Sequence, residues 1–179
     1  MTEPLVFTFA AGTLATNIAI VVFLALKAFV FVSGRSFQFF ERVEEFLTQN
    51  YRWIGFFYGL VASAGSLYLS NVLGWSPCSL CWFQRIFMYP LPLIFGVSLV
   101  MKDRNVMDYT VPLSILGGVI SIRHYLVQRT AASAGCTAAK VSCETSYTFY
   151  FDYISVPFMA LTGFAAVALT GILAAQKRP

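Results

Sequence analysis

Long apolar runs, rather than alternating or short amphipathic patterns, organise this chain. Residues 5–32, 53–73, 82–101, 106–127 and 154–175 are each apolar over a length close to or above that needed to cross a bilayer, about 20 residues for a helix. Together they occupy most of the chain and leave no room for a separate soluble domain. The pattern predicts an all-α fold, a polytopic transmembrane helical bundle. The first run follows Met1-Thr2-Glu3-Pro4, which carries no positive charge, and it is too long for the core of a signal peptide. It is therefore expected to be a retained membrane helix. Between the first two runs, Phe37, Phe40, Val43 and Leu47 recur at helical spacing, with Glu41, Arg42, Glu44 and Glu45 on the other flank. That pattern suits an amphipathic helix on the cytoplasmic interface, or a plain solvated linker helix.

Composition agrees with a non-aqueous solvent. Hydrophobic residues make up 58% of the 179 and charged residues 11%, where a soluble domain carries about a quarter charged. The net charge of +4 is no nucleic-acid footprint, because the basic residues gather at the ends of the apolar runs. Their distribution instead predicts orientation. Arg35, Arg42, Arg52, Lys102, Arg104, Lys177 and Arg178 fall on one side; the other receives Arg129 and Lys140. The expectation is an outside N-terminus, five crossings and a cytoplasmic C-terminus.

The connections are short. Gly74-Trp75-Ser76-Pro77 reads as an outer turn, and Lys102-Asp103-Arg104-Asn105 as a cytoplasmic turn that packs its flanking helices antiparallel. The longest connection, 128–152, ends in Tyr147, Phe149, Tyr150, Phe151 and Tyr153, residues suited to the headgroup layer.

All four cysteines, Cys78, Cys81, Cys136 and Cys143, fall in or beside the two outer loops. That is the side on which disulfides persist. Cys78-Ser79-Leu80-Cys81 has the spacing of reversible redox pairs, and Cys81 opens a membrane helix, where free amides and the helix dipole favour a thiolate. Arg85 follows one turn later on the same face. A guanidinium inside an apolar segment is expensive and functional by default, although near the edge it can snorkel. Gln84 supplies an amide at the same depth. The segment 130–142, which holds Cys136 and ends beside Cys143, is rich in Ala, Ser, Gly and Thr and is expected to be mobile and exposed. Four cysteines allow three connectivities, and spacing does not choose among them.

The run Pro77-Cys-Ser-Leu-Cys-Trp-Phe-Gln-Arg-Ile-Phe-Met-Tyr-Pro-Leu91 closely resembles the signature of the DsbB/BdbC family of disulfide-bond formation proteins. The Lys102-Asp103-Arg104 turn, Arg123-His124-Tyr125, the loop cysteine pair and Val156-Pro157-Phe158 resemble that family too. The resemblance covers about residues 51–175. It implies a four-helix redox domain over 51–179, to which 1–50 adds an N-terminal membrane helix and linker. It also implies that Cys78–Cys81 is a quinone-proximal disulfide with Arg85 beside the quinone, ubiquinone or menaquinone. Cys136–Cys143 would then be the loop disulfide that oxidises a DsbA-like thioredoxin-fold carrier. His124, at the outer end of its helix, becomes a candidate donor to the quinone, and equally an interfacial histidine without catalytic role. No metal is expected.

The implied activity is a disulfide-generating thiol:quinone oxidoreductase of the prokaryotic plasma membrane. An outward reductant transporter is disfavoured, because no cysteine lies mid-helix or on the cytoplasmic side. A four-thiolate metal protein and a membrane protein stapled by inert disulfides stay open; the latter leaves Arg85 unexplained.

Overall fold

A computed structural model describes residues 4–34, 37–130 and 142–177. Six helices follow in order: α1 Pro4–Ser33, α2 Gln38–Asn71, α3 Ser79–Met88, α4 Pro90–Met101, α5 Met107–Thr130 and α6 Val156–Gln176. Tyr89 keeps helical dihedrals between α3 and α4, so the two form one span, Ser79–Met101. Five segments are then long and apolar enough to cross a membrane, and the protein is a polytopic helical bundle. Among the described residues the only β-type pairing is an isolated bridge between Tyr150 and Ile154.

The core is built from α2, α4, α5 and α6 around Phe95, Val106, Phe164 and Val167. Lipid cannot drive helices together by the hydrophobic effect, so close packing must, and glycines allow it. A Cβ on Gly55 would lie 2.3 Å from the Phe95 ring, and one on Gly117 2.4 Å from the Phe164 ring. Each phenyl ring occupies the space that the facing glycine leaves. At one end of the bundle the α4–α5 turn closes through Lys102 in the left-handed region (φ 55°). The Ser98 hydroxyl donates to Asp103 O at 2.9 Å, and the Tyr51 hydroxyl to Arg104 O at 2.9 Å.

The amphipathic segment after α1 is helical, as its periodicity predicts, but it does not lie apart on an interface. It continues without a break into the second span as α2, which crosses residue 50 in mid-helix. Its apolar face is used by the protein: Phe40, Val43 and Leu47 pack with Phe23 and Val30 of α1 and Leu173 of α6. The polar flank is tied as well, Lys27 Nζ reaching Glu44 Oε1 at 3.2 Å.

At the other end, the segment before α6 is folded tightly. Phe151 and Asp152 take positive φ, and Arg129 donates to Asp152 O while its guanidinium sits 4.9 Å from the Phe149 ring centroid. Trp75 stacks on Tyr147 with centroids 4.9 Å apart, and the Tyr147 hydroxyl donates to Ser76 O at 3.2 Å. The two loops of this end are thereby joined over the cysteines.

Candidate redox site

Cys78 caps α3: its extended backbone turns the chain into the helix, and its Sγ accepts from the Cys81 amide at 3.4 Å. Helix starts leave amides without intrahelical partners, and here one of them is satisfied by sulfur. The second cysteine, three positions on, returns to the same side, so the two Sγ atoms lie 3.3 Å apart. A modest side-chain rotation brings them to bonding distance.

His124 is buried on α5 with Nε2 3.5 Å from Cys78 Sγ. Its orientation follows from a chain of hydrogen bonds. Ser121 donates to Gly117 O at 2.8 Å, so its hydroxyl oxygen accepts from Gln84 Nε2 at 2.9 Å. That turns Gln84 Oε1 toward His124 Nδ1, 3.4 Å away, which must donate. The proton is held on Nδ1, and the Nε2 lone pair faces the sulfur. The Cys78 proton thus has two acceptors in reach, Cys81 Sγ and His124 Nε2. Its thiol is pushed up to about 12, chiefly by the hydrogen bond to Cys81 and then by burial, with His124 pulling the other way.

Arg85 reaches across to α2, donating from Nε to Ser66 Oγ at 3.0 Å and from a terminal nitrogen to Ser66 O at 3.2 Å. Its guanidinium carbon sits 5.1 Å from the Trp82 ring centroid. The arginine is anchored inside the bundle and does not snorkel away from it. Cys78, Cys81, Gln84, Arg85 and His124 all line one cavity of about 530 Å³. Cys143 is fully buried beside this group, with Sγ 3.5 Å from Ser79 Oγ, and it packs in one cluster with Cys78, Leu80 and Val127. Cys143, the residue just past the stretch expected to be mobile and exposed, is itself buried. Cys136 lies outside the described residues.

Chemically, the group can do two things. Neighbouring sulfurs with a histidine lone pair and a fixed cation can exchange thiols for disulfides and move the protons released. The ligand atoms of Cys78, Cys81 and His124 also fall within 4.8 Å of one another, close enough to share a metal ion. Sequence reasoning missed Ser66 and Ser121. The spacing of Ser63, Ser66 and Ser70 on α2 was the available signal for the first.

Comparison with known proteins separates these possibilities at the level of the family. The family described as disulfide bond formation protein DsbB matches residues 48–174. This chain belongs to the DsbB family. Disulfide bond formation protein C of Bacillus subtilis is 42% identical over 113 residues, covering 62% of this chain and 81% of its own. Probable disulfide formation protein C 1 of Bacillus anthracis is 38% identical over 120 residues, 66% of this chain and 86% of the relative. A probable disulfide formation protein of Oceanobacillus iheyensis is 39% identical over 124 residues, 66% and 83%. No solved structure matches. DsbB-family membership with five apolar helices makes the chain a multi-pass, disulfide-forming membrane oxidoreductase.

Proposed function

We propose that the protein oxidises a DsbA-like thioredoxin-fold carrier and passes the electrons through its two cysteine pairs to a membrane quinone. The observation that carries this reading is the convergence of the Cys78/Cys81 pair, His124 and Arg85 on one cavity whose exposed surface is mainly apolar. An apolar wall with a few convergent polar groups is how small-molecule sites are built, and it fits a flat ring bearing two carbonyl oxygens. When bound, the quinone takes up two electrons and two protons as the Cys78–Cys81 disulfide closes.

The chain's own residues do the rest. A carrier thiolate attacks Cys136 of the loop disulfide and Cys143 leaves as a thiolate; the burial of Cys143 favours Cys136 as the sulfur a partner reaches. The second carrier thiol then releases the oxidised carrier and leaves the loop pair reduced. Cys143, packed beside the α3 pair, exchanges with Cys78–Cys81, so that loop becomes disulfide and α3 becomes dithiol. Cys78 holds its proton, which leaves Cys81 as the sulfur that acts toward the cavity. His124 Nε2 takes the Cys78 proton when the disulfide re-forms. Arg85, held in place by Ser66, would stabilise negative charge at the ring oxygen of the acceptor.

In this reading the redox domain spans 51–179 with 1–50 appended, the boundary falling inside the continuous helix α2. The cysteine end faces out of a prokaryotic plasma membrane. This is supported by Arg42, Arg52, Lys102, Arg104 and Lys177 at the opposite end. Reduction of ubiquinone and menaquinone analogues by a reduced thioredoxin-fold carrier, with and without the purified protein, tests the activity; no acceleration with either quinone refutes it. A second reading, a thiolate–histidine metal protein, draws on the ligand spacing of Cys78, Cys81 and His124. Stoichiometric zinc and no quinone absorption in the purified protein would select it.

A further inference from the structure

The cavity is not lined by the family-matching residues alone. Thr8, Phe9, Gly12, Thr13 and Thr16 of α1 form one of its walls, and α1 lies outside the residues 48–174 that match the family. Among them Thr8, Gly12, Thr13 and Thr16 recur at helical spacing and form a small, mostly hydroxyl-bearing face, with the Phe9 ring packed beside it against Gly65. On its other sides α1 presents Ile18, Val21 and Val22, all exposed, as lipid-facing residues should be.

This wall is fastened to both neighbours. Thr16 Oγ1 and the Tyr58 hydroxyl of α2 share a hydrogen bond of 2.9 Å, and Thr162 of α6 donates to Asn17 Oδ1 at 3.1 Å. Above them, the Phe9 ring lies 3.4 Å from where a Cβ of Gly65 would be, and Val6 and Ala10 are fully buried. Polar bonds between helices hold them together where the surrounding lipid gives no hydrophobic drive. Within the cavity, Gly12 of α1 and Gly163 of α6 both face open space, with nothing within 4 Å of an added Cβ. Glycine at these two positions widens the chamber.

The geometry points to α1 as the wall that closes the acceptor cavity toward the lipid and sets the size of the ring it admits, with Gly12 as the gauge. This inference rests on the quinone reading and adds a specificity determinant to it. A Cβ at Gly12 meets nothing within 4 Å, so a larger side chain there takes up room in the cavity while its first carbon leaves the backbone packing undisturbed. The bicyclic ring of a naphthoquinone is excluded before the monocyclic ring of a benzoquinone.

The test is equilibrium binding of short-chain naphthoquinone and benzoquinone to the full chain, read by quenching of tryptophan fluorescence from Trp75 at the cavity. Wild type, Gly12→Leu, Thr16→Val and Arg85→Gln are compared, with melting temperature as the control for folding. Gly12→Leu is expected to weaken naphthoquinone binding by about tenfold or more and benzoquinone binding by less. Thr16→Val, which loosens the wall, is expected to weaken both by roughly threefold. If Gly12→Leu binds both rings as wild type does while Arg85→Gln weakens both, α1 is not the wall and the inference is overturned. If neither ring binds the wild-type protein, the quinone reading itself falls, and the inference with it.

Discussion

α1 and α6 are the two most apolar spans of the molecule, yet half of the most apolar stretch of α6 is buried inside the protein and only 6% of that of α1. The difference lies in what covers them. α6 is the hub: Phe164 fills the gap at Gly117, Val111 of α5 closes on Gly171, and Leu173 meets α1 and α2. α1 is a stave laid against the outside, fixed by a few side chains and otherwise solvated by lipid. High hydropathy therefore says that a helix is suited to the membrane and nothing about whether it is central. What separates the two is the distribution of small residues. On α6 Gly171 admits Val111, while Gly12 of α1, like Gly163 of α6, leaves room in the chamber.

If α6 and its neighbours carry the chemistry while α1 shapes access, substitutions should divide accordingly. Cys78→Ser and Cys81→Ser should each abolish quinone-linked turnover, since neither sulfur alone can form the disulfide; near-wild-type steady-state rates in either variant would contradict the site. Gly117→Leu, which drives a side chain into the Phe164 ring, should destabilise the bundle by about 1–3 kcal/mol. A lowered melting temperature in detergent reports this, whereas Gly12→Leu should melt as wild type does. Arg85→Gln should lower quinone efficiency roughly ten- to a hundredfold, the worth of one charge-assisted hydrogen bond of about 1.5–3 kcal/mol. Arg85→Lys should restore only part, because an ammonium lacks the planar fork. Quinone titrations beside a stopped-flow assay of carrier oxidation separate this from a general loss. Cys143→Ala should accumulate a mixed disulfide between Cys136 and the carrier, visible on non-reducing gels; an adduct on Cys143 in Cys136→Ala would reverse the order of attack. The smallest effect belongs to α1: Asn17→Leu should cost about 0.6 kcal/mol, the average for a hydrogen bond between membrane helices, measured by thermal unfolding against Thr162→Val and the double variant.

The spans were legible in the sequence because each is a run of apolar residues with polar punctuation, and apart from the start of α2 the observed ends shift by only a few residues. The fusion of the amphipathic segment with the second span was not, since Glu41, Arg42, Glu44 and Glu45 break the apolar run without breaking the helix. In the site, Cys78, Cys81 and Arg85 could be read directly, because local spacing places them within one turn of each other. His124 could be assigned a depth but not its contact with Cys78, which depends on how α5 packs against α3. Ser66 and Ser121 were hidden because serine is common in membrane helices and marks no function by itself. The role of α1 needed three dimensions altogether: its Thr/Gly face acquires meaning only opposite Tyr58 and Gly163.

The unbroken course of α2 has a mechanical consequence. Its 34 residues make a rod about 51 Å long at 1.5 Å per residue, against a hydrocarbon core of about 30 Å. Roughly 20 Å of it must lie outside the hydrocarbon, and with no hinge the rod can respond to its surroundings only by tilting as a whole. Tyr58 and Ser66 ride on the same rod as the charged segment around Glu44. Any tilt of this rod therefore carries with it the Ser66 anchor of Arg85, which couples the charged segment at one end of α2 to the cavity near the other.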